Sequence, residues 1–213
     1  MYIPRSYAES DPGVLFDFVE AHPFGALVTA SGDGLFATHL PFVVHRTRGA
    51  HGTIEAHVAR ANPHHERTII GGEALLIVSG PDAYVTPSWY ATKTEHGKVV
   101  PTWNYVAVHV YGALRFIDDD AFLERHLTEL VDRHERGRPE PWAITDAPPA
   151  FVSQSRRAIV GLELTITRVE GKWKMSQNRS AADVDGVVRG LGASDDARER
   201  AVAATVDARR PPR

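Results

Sequence analysis

Cysteine is absent from this 213-residue chain. That excludes disulfides, thiolate metal sites and a cysteine nucleophile together. Long apolar runs are absent too: nothing approaches the ~20 residues that span a bilayer. The opening MYIPRSYAESDP lacks the apolar core of a signal peptide. A soluble, cytoplasmic protein is expected. Neither sign of charge dominates. The net charge is −3 and the isoelectric point about 6.4, which leaves no general nucleic-acid footprint. No helix-turn-helix recognition helix or basic stripe stands out, so the sequence does not support direct DNA binding. There is no G-x-G-x-x-G after a strand, no P-loop, no G-x-S-x-G and no H-E-x-x-H. His64 and His65 are adjacent, and neighbouring helical residues point about 100° apart, so they are not a metal pair by spacing.

What is present is one core's worth of apolar residues, 43% of the chain, with 24% charged. We expect a single domain over 1–191 and a helical, charged tail over 192–213, with Pro211-Pro212 disordered. The clearest element is the strand 105–117. Val106, Val108, Val110, Leu114 and Phe116 fall on one parity with Gly112; Tyr105, Ala107, His109, Tyr111, Ala113 and Arg115 fall on the other. Period-2 alternation gives one aliphatic face and one that can meet a ligand. Before it lies the loop 87–104, holding Trp89, Tyr90, Lys93, His96, Lys98, Trp103 and Asn104 between prolines. Loops that long in a compact domain are usually functional or disordered, and two Trp argue against disorder.

Elsewhere, Asp11-Pro12 starts a short amphipathic helix over 12–22. Strands follow at 24–30 and 35–45. Pro41 places the second at a sheet edge or a bulge. Further strands are expected at 53–58 and 73–79, then a turn at Gly80-Pro81-Asp82 and a strand at 83–86. A helix spans 118–135, a Pro-rich irregular stretch 136–149, a helix 149–157 and a strand 158–170. Residues 171–179 form a connector, and Ser180 with Asp183 resembles a capping box. Six or seven strands without repeated strand–helix alternation indicate an antiparallel barrel with helices at its rim.

Cations, amides and aromatics gather in three places. Arg60-Ala61-Asn62 precedes a helix start at Asn62-Pro63, where free N–H groups, a dipole and a guanidinium suit an anion. The other two are the loop from Trp89 to Tyr105 and the run Lys172 to Arg179. Cations suit a phosphate, Trp and Tyr suit a planar ring, and Asn104, Ser176 and Gln177 can bond a ring edge. Together they describe a phosphorylated planar cofactor, with FMN the obvious candidate.

The segments THLPFVV (38–44), HVARANPHH (57–65), GPDAYVTPSWY (80–90), GKVVPTWNYVAVHVYG (97–112) and GKWKMSQNRSAAD (171–183) resemble, in order, the signature segments of the PaiB family. Its members are called FMN-binding negative transcriptional regulators, or protease synthase and sporulation regulators. The resemblance implies a mainly β protein with peripheral helices, a split β-barrel of the pyridoxamine-phosphate-oxidase type. It also implies a homodimer with FMN at the subunit interface, and a regulator or flavin-dependent sensor. The candidate cofactor-binding residues are Thr38, His39, Arg60, Ala61, Asn62, Trp89, Lys93, Thr102, Trp103, Asn104, Tyr105, Lys174, Ser176, Gln177 and Arg179, with Arg60 on the phosphate. Two alternatives stay open: a flavin-dependent oxidoreductase, and a haem enzyme like the branch that makes piperazate. For haem, His39, His64 and His65 are the candidate axial ligands, beside His57 and His109. No catalytic acid, base or nucleophile stands out.

Overall fold

The computed structural model describes residues 1–210; the expected disorder at Pro211-Pro212 lies outside the described residues. Among the described residues, seven strands are β1 (Ala8–Glu9), β2 (Phe24–Ser31), β3 (Gly34–His45), β4 (Thr53–Ala59), β5 (Glu73–Val85), β6 (Thr102–Ile117) and β7 (Ile159–Lys174), and seven α-helices are α1 (Pro12–Ala21), α2 (His64–Arg67), α3 (Thr92–His96), α4 (Asp120–Glu135), α5 (Pro149–Arg157), α6 (Ala181–Gly192) and α7 (Ala197–Ala208). The strand order is β1-β7-β4-β3-β2-β5-β6, and β6 also pairs with β7. Six strands therefore close into a ring. The fold is the mainly β barrel with peripheral helices that the sequence implies.

The chain divides into two compact units. The first comprises Met1–Leu15, Ser79–Val108 and Glu170–Arg213; the second comprises Phe16–Val78 and His109–Val169. Strands β5, β6 and β7 each contribute residues to both.

In the second unit, β2–β3–β4–β7 is an antiparallel ladder. Ala26 pairs with His39, Phe42 with Ala56, and Ala56 with Leu162. Leu27, Phe42, Ile54, Val58, Leu76, Leu162 and Leu164 are buried. On β6, Val110 and Leu114 are buried as the alternation requires, while Phe116 is half-buried. Gly112 is needed there: a Cβ would lie 2.2 Å from the Thr165 carbonyl oxygen. Helix α4 starts where the Asp119 carboxylate accepts from the Phe122 N–H at 2.7 Å, as the first turn's unpaired donors demand. It buries Leu123 and His126. Pro41 sits inside the sheet, because β3 lies between β2 and β4 and is not an edge strand. The β3–β4 ladder runs from Phe42 to His45, so Pro41's missing N–H falls just outside it.

In the first unit, β6 carries buried Asn104, Val106 and Val108. The end of β7 carries buried Lys172 and Trp173. Helices α6 and α7 bury Val184, Val187, Leu191, Val202 and Val206. Three expectations about this part are corrected. Gly80-Pro81-Asp82 is not a turn: β5 runs through it to Val85, since proline's fixed φ is compatible with extended backbone wherever the N–H is not needed. Strand β7 continues to Lys174, so the connector is half its expected length. The stretch 87–104, read as one loop, holds secondary structure of its own. It folds into a 3₁₀ turn at Pro87–Trp89 and α3, and β6 begins at Thr102 rather than Tyr105.

Candidate cofactor site

The site builds in the first unit from the start of β6 and the end of β7. Lys172 and Lys174 alternate with Trp173, so period 2 sets both cations on one face. The Lys174 ammonium donates to the Thr102 hydroxyl and the Trp103 carbonyl. Beyond it, Asn104 is fully buried, and its side chain exchanges hydrogen bonds with the Ser176 hydroxyl at 3.0 and 3.3 Å. Ser176 has a φ of 63°, the one positive-φ non-glycine among the described residues. Held conformations of this kind gather at functional sites and persist only when their surroundings enforce them. Here Gln177 enforces it: its side chain accepts from the Met175 N–H at 2.7 Å and donates to the Trp173 carbonyl at 2.6 Å.

Tyr7, Thr102, Asn104, Lys174, Ser176, Asn178 and Arg179 enclose a polar recess of about 40 Å³. That is room for a water or one small anionic group, not for a planar ring system. The groups around it are cationic. Burial, with Lys172 and Arg179 beside it, pushes the Lys174 ammonium below its usual range. Burial raises the Tyr7 phenol, against the pull of Arg179 and Lys172. Lys172 lies 5.1 Å from the Tyr105 ring centre, and the Arg179 guanidinium 4.5 Å from that of Tyr90. Among the described residues no carboxylate pairs with Lys174 or Arg179, and crowded cations of this kind are the arrangement a phosphate relieves.

The structure thus brings Thr102, Asn104, Lys174, Ser176 and Arg179 together, with Tyr105 beside Lys172. Three other candidates in this unit are committed elsewhere. Trp89 packs on α6, its carbonyl and indole filling the space over Gly186 and Gly190. Trp103 is exposed, donates to the Asp82 carboxylate at 2.8 Å and meets Tyr84 edge-on. Lys93 is exposed and reaches the Ser88 hydroxyl at 3.3 Å. Tyr7 and Asn178 line the recess without having been singled out. Asn178 was within reach, standing between Gln177 and Arg179; nothing around Tyr7 marks it.

Thr38, His39, Arg60, Ala61 and Asn62 lie in the second unit. Arg60 is not a free guanidinium. It forks onto Asp118 at 2.6 and 2.9 Å and donates to the Arg157 and Ile159 carbonyls at 2.8 and 3.0 Å. Its neighbour α2 is a single turn of four residues, and the Asn62 side chain already accepts from the His64 N–H at 3.0 Å. The expected helix start is therefore a single turn whose His64 donor is already taken by Asn62. Ala61 is exposed, and Asn62 donates to the Thr38 hydroxyl at 3.1 Å.

Of the candidate axial histidines, His64 is fully buried with both ring nitrogens bonded, to Thr29 at 2.9 Å and Thr38 at 2.8 Å. His65 holds the Asn62 carbonyl at 2.8 Å. His57 pairs with His126 at 3.1 Å and His109 with Tyr111 at 3.4 Å. His39 is exposed. His45, Glu55 and Glu129 lie close enough to hold a metal ion. Glu55 is however already forked by Arg125 and bonded by Arg48, which makes this an ion-pair node.

A closed antiparallel barrel with a cationic polar recess at two strand ends defines a class, the small-cofactor split barrels. Residues 1–168 match the family described as "Putative FMN-binding domain", and the chain belongs to that family. It is similar to the protease synthase and sporulation protein PAI 2 of Bacillus subtilis, 31% identical over 90% of this chain and 89% of that one. The resemblance to the PaiB family therefore holds. An uncharacterized protein of Emericella nidulans is 33% identical over 90% of each chain. Among solved structures, the flavocytochrome Anf3 from Azotobacter vinelandii matches with a TM-score of 0.57 at 19% identity, over 81% of this chain and 72% of that one. The FAD and haem binding protein from Mycobacterium smegmatis matches at 0.56 and 18%, over 84% and 79%. At such identities these two speak for the fold alone.

Proposed function

We propose that this chain is an FMN-binding protein whose first-unit recess receives the cofactor's phosphate. The observation that carries the reading is the recess itself: Lys174 and Arg179 beside Lys172, around a strained Ser176. Arg179 and Lys174 would hold the phosphate oxygens, with Thr102, Asn104 and Asn178 as neutral partners, and Tyr105 offers a ring nearby. Bound FMN supplies one- or two-electron transfer. Arg60 is the rival anion site, and its fork onto Asp118 weighs against it.

The test is a fluorescence titration with FMN and with riboflavin, which lacks the phosphate. A hydrogen bond to a charged group contributes roughly 1.5–3 kcal/mol. Arg179→Ala should therefore weaken FMN about 10- to 150-fold and leave riboflavin nearly unchanged. Arg60→Ala should change neither. If instead Arg60→Ala loses FMN and Arg179→Ala does not, the phosphate belongs in the second unit.

Within that reading, the protein is a homodimeric flavin-dependent sensor or negative transcriptional regulator rather than an oxidoreductase with its own turnover. Support comes from the name carried by the Bacillus relative and from the way the conspicuous side chains are spent on structure. Haem draws less support, since His64 would have to break two buried hydrogen bonds to ligate iron. An absorbance spectrum of the purified protein separates flavin bands from a Soret band. Sustained turnover of a reduced nicotinamide would overturn the sensor reading.

A further inference from the structure

The second unit holds a cavity that the flavin reading does not use. About 280 Å³ opens between α4, residues 142–147, α5 and the start of β7. Its wall is apolar, with Leu127, Val131, Trp142, Phe151 and Val152. That volume sits just under the ~300 Å³ at which drug-sized sites begin, so it suits a single-ring compound. The wall offers no net charge. Arg156 is answered locally by Asp120 at 2.8 Å and Glu124 at 3.2 Å. Ser155 is exposed.

The Arg156 Nε is buried without a hydrogen-bond partner; the neutral, half-buried polar group in the wall is His57, and its protonation can be assigned. His57 Nδ1 and His126 Nε2 are 3.1 Å apart, so one carries the proton and the other accepts it. His126 is fully buried, and its Nδ1 has no hydrogen-bond partner. With the proton on Nδ1 a buried donor goes unpaired, and with it on Nε2 a buried acceptor does. Orphaned buried N–H groups are the rarer of the two in proteins, so we assign the proton to His126 Nε2, donated to His57 Nδ1. A neutral His57 must then carry its own proton on Nε2. Burial keeps both rings neutral, pushing each pKa below the usual imidazole value. Among the described residues, no hydrogen bond uses His57 Nε2. An apolar cavity with one neutral donor in its wall is the composition of a specific small-molecule site.

We propose that this cavity binds a compact, uncharged aromatic molecule bearing one hydrogen-bond acceptor. His57 is the donor, and His126 is the positioning residue that fixes its tautomer. The site is independent of the flavin reading and stands or falls separately.

The test uses the full-length protein and two ligands of one shape, 4′-fluoroacetophenone and 1-fluoro-4-isopropylbenzene, followed by fluorine NMR. Without a donor, a carbonyl entering an apolar cavity loses its water and binds more weakly than the hydrocarbon. With one, the parent should bind the ketone up to about tenfold more tightly than the hydrocarbon. His57→Phe should reverse the order while still binding the hydrocarbon. Val152→Trp, which fills the cavity from α5, should abolish both and remains decisive if His57→Phe does not fold. The proposal is overturned if the parent prefers the hydrocarbon, if neither ligand gives a saturable shift at millimolar concentration, or if Val152→Trp leaves binding intact.

Discussion

Replacing Glu55 with glutamine should destabilise the protein at neutral pH and leave its stability nearly unchanged in acid. Glu55 has no accessible side-chain surface. Burial alone would raise its carboxyl pKa. The Arg125 fork, at 2.7 and 2.8 Å, and Arg48 overcome that and hold it at about 2, against 4.5 for a free glutamate. His45 adds a contact at 3.1 Å. Each pKa unit corresponds to about 1.4 kcal/mol, so the gap is worth roughly 3 kcal/mol. Arg48 and Arg125 are 39% and 47% exposed, and solvent screening reduces this to about 2 kcal/mol. The sign follows from linkage. A carboxyl depressed in the fold contributes stability that is complete above pH 4.5 and is lost as pH falls through about 2. Urea denaturation of parent and Glu55→Gln at pH 7, 4 and 2 should give a difference of about 2 kcal/mol that shrinks toward zero. Histidines that protonate in acid do so in both proteins and cancel in the difference. A difference that does not vary with pH, or no difference at pH 7, would refute the argument, because the stabilisation would then not come from the carboxylate's charge.

Three further outcomes are expected. His126, held at about 4 in the fold and near 6.5 unfolded, contributes stability that is full above pH 6.5 and falls by roughly 3 kcal/mol by pH 4. Imidazole ¹⁵N spectra should show it still neutral at pH 5, with the proton on Nε2. Gly186→Ala would place a Cβ 1.8 Å from the Trp89 carbonyl oxygen, and should lower stability by about 2–3 kcal/mol through backbone displacement, read as a fall in Tm. Light scattering at micromolar concentration should report a dimer, and a monomer would remove the shared-cofactor arrangement.

The fold was legible wherever a local rule had no competitor. The 105–117 alternation, the Asp119 cap and the Asp11 cap, which accepts from the Val14 N–H at 3.1 Å, depend on neighbours a few residues apart. Errors came where tertiary pairing outvoted a local breaker. Gly80-Pro81-Asp82 has turn composition yet lies in a strand. Asn62-Pro63 has the chemistry of a helix start, yet only one turn follows. Ser180 does cap α6, accepting from the Asp183 N–H at 3.2 Å. The reciprocal half of the capping box fails because the Asp183 carboxylate is taken by Thr92, 91 residues away. No local pattern can announce a partner at that distance.

The site was legible in composition more than in geometry. KWKMSQNR read as a polar run, with no account of which side chains converge. Extending β7 by four residues supplies that account. Lys172 and Lys174 then share a face, and Gln177 turns from a possible ring-edge partner into the clamp that holds Ser176 at positive φ. Arg60 shows the opposite failure. An arginine beside a helix start reads as an anion site when its partners are unseen. Asp118, 58 residues on, answers its charge, and two carbonyls take two more of its donors. Sequence can list cations, but which of them lacks a counter-ion is a tertiary fact. That fact is why the phosphate site we propose is the recess lined by Lys174 and Arg179, with Lys172 beside it, rather than Arg60.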